Sequence, residues 1–545
     1  MASFPEHFLV RAATVAVLTA SCALIGSGAG KPRFLKDDPL LRESAPRAVP
    51  DTQERSVDPI YDFAFHTFAT PDKVALEIAQ GRLIPSADVN TIGEVPDGNW
   101  YTNRHWLRTM SREELVRGPG NSTPPAPGKW RVVSAKSDGV TPGFTIADSK
   151  GNRYLLKLDP PDYPELASGP DVIGSKLFYA LGYETPENYI VKFREDQLEL
   201  DPAAKFRDAN GKAKRLTRSR VHRMLLGQTK DKQRQFRALA SKLLAGKPVG
   251  PFKYTSMRSD DPNDVVRHEN RRVLRGLAVF CAWTNHTDSR SQNSLDMLVS
   301  KNGTSYIQHY LIDFGSTLGS DSIFIKEASR GNEFDIDTKV IRKQILTLGF
   351  VVPEWSRTHV PKLRGIGNFS SQAFYPKTWK SAYPNPAFMR METADAFWAA
   401  RQVARFSDDD LRALAATAEY TDPRATDYMA KTLIERRDKI VAAWINGSLP
   451  FDRYEVDGNR LTFQPIPHVT PVPDSAVQAS WAVFDNQSGE RSPLTGEGLA
   501  VPASSAPYLV VRLKTREISH WTDVFLQRTP ESSWKVVGVE RNFTP

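Results

Sequence analysis

The stretch 286–319 constrains this chain more than any other. It reads His286-Thr287-Asp288-Ser289-Arg290-Ser291-Gln292-Asn293, then two alternating runs, 294–299 and 305–312, around a Lys301-Asn302-Gly303 turn, then Asp313-Phe314-Gly315. Alternating runs about a glycine-bearing turn predict a β-hairpin. A hairpin returns the chain to its starting point, so Asn293 and Asp313 come close at its open end. Two oxygen ligands then converge beside a third oxygen-bearing side chain, Asp288, an arrangement that suits magnesium and a bound triphosphate.

The chain is too long, at 545 residues, for one ordinary domain, and its 40% hydrophobic and 25% charged residues are those of a globular protein. Two or three packed units are expected, and a fibrous or wholly disordered protein is excluded. The first thirty residues have the form of a secretory signal: Arg11, an apolar run over 12–25, then a small-residue cluster over 26–30. The run is short for a bilayer span. Within it, Leu18-Thr19-Ala20-Ser21-Cys22 resembles a bacterial lipoprotein cleavage box, with Thr19 where leucine is usual. The expectation is an exported protein, whether periplasmic, envelope-anchored or extracellular, whose only membrane attachment would be a lipid at Cys22. Cys281, the other cysteine, then has no partner, and the core alone must hold the fold.

Residues 31–128 are irregular but rich in aromatics, and read as an extension packed on the next unit. One short helix is legible there, from the capping box Ser111-Arg112-Glu113-Glu114 to Gly118. A proline-rich run, 119–128, marks a boundary. Three short strands follow, 130–136, 144–147 and 153–158, with a turn 137–143 holding Gly139 and Gly143. Lys157 lies among leucines on the third strand and needs a partner, because an unpaired buried ammonium is costly. A helix capped by Ser168 and ended by Gly182 offers Asp171 in its first turn, with Glu165 as the alternative. A further strand is expected over 186–193.

The formal charge of +9 is uneven. Residues 211–250 hold twelve Lys/Arg against one acid, Asp231. Such a block attracts polyanions, whether nucleic acid, anionic lipid or a phosphorylated ligand. It lacks the interleaved aromatics that stack bases, and a solvated basic insertion is the plainer reading. Beyond it, 264–283 reads as one long buried helix running into the 286–293 loop. Three more helices are expected over 393–406, 408–420 and 423–445, the last capped by Asp422. After a boundary at 446–450 the remaining chain, 448–545, reads as a small all-β unit.

Lys157, Asp288, Asn293 and Asp313, in that order, resemble the atypical kinases of the protein-kinase-like superfamily: the HipA-type, CotH-type and secretory-pathway kinases. The resemblance covers roughly 129–447 and is carried by short motifs. It implies an α+β, two-lobed fold, with a β-rich N-lobe and a helical C-lobe. It also implies an ATP-dependent phosphotransferase using Mg2+ or Mn2+ on a hydroxyl of a protein, lipid or glycan. Lys157, oriented by Asp171, would hold the nucleotide phosphates, and the turn Ser137 to Gly143, with Gly139 and Gly143, would cover them through backbone amides. Asp288 would accept the proton, and Asn293 and Asp313 would bind the metal.

The chain departs from eukaryotic protein kinases in lacking Gly-x-Gly-x-x-Gly and in having Thr287 where arginine usually precedes the aspartate. Rival motifs are poor: His268-Glu269 has no second histidine four residues on, and Gly315-Ser316-Thr317-Leu318-Gly319 has no serine at its centre. His286 reads as a structural hydrogen-bonder. Two other classes stand beside the kinase reading. One is a catalytically inactive, nucleotide-independent binding protein of the cell envelope that keeps the kinase fold. The other is nucleotidyl transfer, or ligation through a phosphorylated intermediate, at the same ligands.

Overall fold

The computed structural model describes residues 31–50, 52–120, 124–136, 141–208, 211–446 and 448–543. The signal-like segment with Cys22, and Gly139, lie outside them.

The chain first forms α1 (Pro59–Phe68), opened by Asp58 accepting from the Ile60 and Tyr61 amides, and α2 (Thr70–Ala79). The capping box forms as read: in α3 (Arg112–Arg117), Ser111 Oγ accepts from the Glu114 amide and Glu114 accepts from the Ser111 amide. Trp100 stacks on His309 with centroids 3.6 Å apart, and the Tyr101 hydroxyl donates to Gln402 at 2.9 Å, so this segment packs on later parts of the chain.

β1 (Trp130–Ala135), β2 (Gly143–Ala147) and β3 (Arg153–Leu158) form an antiparallel meander, followed by α4 (Ser168–Ala180) and β4 (Asn188–Phe193). The chain then crosses to the opposite edge. There β5 (Leu198–Arg207) runs parallel to β1, with β6 (Ala213–Arg215) outside it and α5 (Arg218–Leu225) following. It returns as β7 (Phe236–Lys242), between β4 and β3, giving the order β4-β7-β3-β2-β1-β5-β6. Residues 211–250 are therefore not a single solvated insertion. The excursion lies between β4 and β7, and β7 is an internal strand whose Phe236, Ala238 and Ala240 enter the sheet's core beside Phe144, Ile146 and Leu156.

The short β8 (Lys247–Pro248) pairs with the later hairpin. The long helix expected over 264–283 is broken. Only α6 (Arg272–Arg275) and α7 (Leu277–Thr284) are α-helical, after a 3₁₀ turn at His268–Asn270. The cause is Asp264, a buried carboxylate that accepts from the Arg258 amide, binds the His268 ring at 2.7 Å and takes Arg271 at 2.8 Å. These bonds hold the chain in a polar turn. Arg271 is extended, and a helix begins only after it. Cys281 is free and buried within α7.

The hairpin of β9 (Ser294–Lys301) and β10 (Thr304–Leu311) follows, with Ser294 opposite Leu311. Then come α8 (Thr338–Leu346), α9 (Thr393–Ala404), α10 (Asp408–Ala416) and α11 (Pro423–Trp444), the last capped by Asp422 accepting from the Arg424 amide. Among the described residues that follow, the regular elements are strands apart from a 3₁₀ turn at Asp474–Ala476. β11 (Phe451–Asp457) pairs with β12 (Arg460–Pro465). β13 (Gln478–Phe484), β14 (Arg491–Leu494), β15 (Tyr508–Lys514), β16 (Thr522–Arg528) and β17 (Trp534–Arg541) form a sheet ordered β14-β13-β15-β16-β17. Phe34 completes its outer core against Phe484, Val510 and Phe525. A buried network of Arg401 with Glu94 and Asp452, extended by Arg541 to Asp452 at 2.8 Å, ties this sheet to the helices.

The fold is thus mixed α and β, and its β-rich and helical parts have separate hydrophobic cores. α4 follows β3 in sequence but belongs to the helical core through Ile173, Leu177 and Phe178. Among the described residues no helix is long and apolar enough to cross a membrane.

Candidate functional site

Lys157 projects from β3 between two carboxylates. Its Nζ lies 3.0 Å from Asp171 Oδ2 and 2.8 Å from Asp313 Oδ1. Asp171, and not Glu165, is therefore its helical partner; Glu165 instead binds Thr421 and Arg364. Burial alone would lower the Lys157 ammonium, but Asp171 and Asp313 outweigh it and hold the charge on. The other oxygen of Asp171 accepts from the Phe314 amide at 3.2 Å and from Asn188 Nδ2 at 2.9 Å. Asp171 thus joins β3, β4 and the Asp313-Phe314-Gly315 segment at one point.

The local fold sets this up. The first amides of α4 are satisfied by Asp159 and not by Ser168 as a cap: Asp159 Oδ1 accepts from the Ala167 and Ser168 amides, while the Ser168 hydroxyl donates to Oδ2. Gly174, mid-helix, is needed for close approach, since a Cβ there would lie 2.6 Å from the Phe314 Cβ. Asp313 has φ 60°, a left-handed conformation that an aspartate adopts more readily than most residues.

The second half of the site comes from the loop after α7. Asn293 Nδ2 donates to both the carbonyl and Oδ2 of Asp288, at 2.6 and 2.8 Å. The Ile312 amide donates to the Asn293 carbonyl at 3.0 Å, closing the hairpin so that Asp313 follows directly beside Asn293. Arg290 Nε lies 2.8 Å from Asp288 Oδ1, without hydrogen-bond alignment. Burial raises the Asp288 carboxyl above its ordinary range, with Arg290 and Asn293 opposing. Asp313 goes the other way, pulled down chiefly by the Lys157 charge. One carboxyl is therefore shifted toward holding a proton and its neighbour toward ionisation, a separation that suits an acid–base group beside a ligand.

Gly143 stands opposite Lys157 in the β2–β3 ladder, where a Cβ would collide with the Leu156 carbonyl. Its position there is explained by strand packing. His286 is buried, its ring packed against Phe178 and Phe314, and burial lowers it to about 3, so it stays neutral.

Lys326 was not singled out by the sequence. It is fully buried, and its Nζ donates to Thr287 Oγ1 at 2.7 Å and to the Ser316 carbonyl at 3.0 Å. Burial lowers it to about 8, with Asp321 and Asp288 pulling it back up. Position 287 carries no cation of its own, and Lys326 supplies one from below the loop. Its trace in the sequence is a lone lysine closing the apolar run Ile323-Phe324-Ile325. Asn188 was also missed; its trace is an amide at the head of an apolar strand.

Asp313 and the Asn293 amide oxygen are hard donors of the kind Mg2+ and Mn2+ prefer. Among the described residues no group of three or more His, Cys, Asp or Glu could hold a metal. Two such donors would leave most of a divalent cation's shell to other ligands.

No protein-family model matches the chain, and no curated protein matches it. Among solved structures it is similar to the Helicobacter pylori proinflammatory kinase CtkA, at 12% identity, over 56% of this chain and 92% of that one, with a TM-score of 0.30. It is similar to the Golgi casein kinase at 10% identity, over 76% and 96% of the two chains, with a TM-score of 0.27. The Golgi casein kinase with Mn/ADP bound gives 11% identity, 74% and 96%, and a TM-score of 0.28. Likenesses at this level establish no family membership for this chain.

Proposed function

We propose that this protein is a phosphotransferase that moves a phosphoryl group from a nucleoside triphosphate such as ATP to a hydroxyl. The observation that carries this reading is the Lys157 bridge between Asp171 and Asp313, with the Asp288–Asn293 pair at the hairpin's open end. An ammonium has three donors, and two are taken by carboxylates, leaving the third for a phosphate oxygen. Asp313 and Asn293 would hold a divalent cation, Mg2+ or Mn2+. That cation would neutralise charge on the phosphates and align them.

Asp288 is the proton acceptor in this reading. The acceptor oxygen forms its bond to the terminal phosphorus, the bond to the bridging oxygen breaks, and the hydroxyl proton passes to Asp288 Oδ. Asn293 orients that carboxylate, and Lys326, through Thr287 and Ser316, fixes the loop that carries it. Export, read from residues 1–30, belongs to the same proposal, as does an acceptor on a protein, lipid or glycan.

The test is product analysis after incubation with ATP and Mn2+ or Mg2+. Release of ADP that is lost in Asp288→Asn supports phosphoryl transfer. Release of pyrophosphate instead would assign the same ligands to nucleotidyl transfer. No turnover with any metal would leave a binding protein.

A further inference from the structure

α8 is unlike α4 and α7, the helices that carry Asp171 and deliver the 286–293 loop. None of its nine residues is buried, and exposed apolar side chains continue past its end: Ile341, Ile345, Leu346, Leu348, Phe350 and Val352, with Leu348 81% and Phe350 85% exposed. A contiguous apolar patch of this kind marks an interaction surface. Its charges are one-sided. Lys339, Arg342 and Lys343 stand within α8 and form no ion pair among the described residues, and no acid occurs between Asp337 and Glu354. Asp337 is itself taken by Lys380 at 2.6 Å. On the helix, Ile341 and Ile345 are one turn apart on one face, while Lys339, Arg342 and Lys343 cluster on the other side, with Leu346 among them at the helix end where the apolar run 348–352 continues.

From this pattern we infer that residues 338–352 dock the protein on an anionic membrane surface, with the apolar face among the acyl chains and the three cations at the headgroups. A second copy of the chain is disfavoured as the occupant. A two-fold pairing would set the same uncompensated cations against each other.

The segment 380–383 links the head of α8 to the loop that bears Asp288. Within four residues, Lys380 binds Asp337 at the head of α8, the Ala382 amide donates to the Thr287 carbonyl at 2.8 Å, and the Tyr383 hydroxyl donates to Asp62 of α1 at 2.7 Å. α1, which Tyr383 reaches through Asp62, carries exposed Ile60, Tyr61 and Phe68. A membrane held by 338–352 would therefore lie beside the loop bearing Asp288. A lipid-borne acceptor would follow only if the phosphotransfer reading holds, whereas the docking itself does not depend on it.

The experiment is co-sedimentation of the chain from Lys31 onward, which contains every described element, with vesicles of phosphatidylcholine alone or mixed with phosphatidylglycerol, without nucleotide. Binding to the mixed vesicles is expected, weakening as salt rises. The variant Lys339→Gln/Arg342→Gln/Lys343→Gln should lose about 100-fold in affinity, at about fivefold per charge. Ile345→Glu/Phe350→Glu should lose at least about tenfold, because charged groups replace inserted apolar ones. No binding to the mixed vesicles, or binding that neither variant changes, overturns the proposal. So does a concentration-dependent dimer, broken by Ile345→Glu/Phe350→Glu, in a protein that ignores vesicles. Nucleotide binding unchanged in both variants would keep the two readings separate.

Discussion

α4 carries Asp171 into the site, whereas α8 is linked to it only through Asp337, Lys380 and the Ala382 amide on Thr287, and the fold treats the two helices in opposite ways. Of the thirteen residues of α4 only Tyr179 is not buried, and the helix is welded into the helical core by Ile173, Leu177 and Phe178. α8 buries none of its nine residues and is held by its cap, Asp337, accepting from the Val340 amide and paired with Lys380. The first helix carries a ligand of the site, Asp171, and is fixed where it must hold Lys157. The second carries no ligand of the site, and its side chains face outward. Position in the chemistry and depth in the core go together here, because a buried ion pair keeps its geometry only where its neighbours cannot move.

Truncating the two helices should separate them most. Leu177→Ala is expected to cost about 3 kcal/mol of unfolding free energy, whereas Leu346→Ala should stay within about 0.5 kcal/mol, both read by denaturant unfolding. Equal costs would mean that α8 is covered in solution. Next in size is Gly174→Ala, whose new methyl would press on Phe314. Overpacking of this kind costs about 1–3 kcal/mol, and nucleotide affinity should fall with it, because Phe314 follows Asp313 and its amide binds Asp171. Retained affinity at reduced stability would show that α4 can shift without disturbing the clamp.

A smaller, local effect is expected at the head of α8. Asp337→Ala removes a cap worth about 1 kcal/mol, and should speed hydrogen exchange over 338–346 while leaving the midpoint of global unfolding in place. A further effect is one of pH. Lys326 is lowered to about 8 in the folded protein, below the ordinary lysine value. Between about pH 8 and 10 the unfolded chain thus binds a proton that the folded one lacks, and stability gains as pH rises through that window. The stability of the wild type relative to Lys326→Met should therefore improve from pH 8 to 10. A flat difference would mean that Lys326 keeps its proton.

The clamp and hairpin were legible because each rests on a local rule. A lysine among leucines demands a partner, and a turn between alternating runs closes on itself, so Lys157, Asp171, Asn293 and Asp313 fall where pattern and cost put them. What failed depended on contacts distant in sequence, or on charge masking pattern. The polar turn around Asp264 broke a run that reads as helical by its apolar spacing. β7 hid inside a basic block because its Phe236, Ala238 and Ala240 stand among cations. Asp159 displaced Ser168 as the cap of α4 by reaching across nine residues. Lys326 reaches Thr287 across 39 residues, a contact that no spacing rule supplies.

The measurement that bears most directly on this account is calorimetric titration of ATP into the purified protein, with and without Mg2+ or Mn2+, beside Asp313→Ala. Metal-dependent binding is predicted for the wild type. It should be lost in the variant, which should unfold at nearly the wild-type temperature, because the Asp313 side chain is about half exposed and lies outside the core. Metal-dependent ATP binding that survives in Asp313→Ala, or a variant that unfolds while the wild type binds no nucleotide, would contradict it.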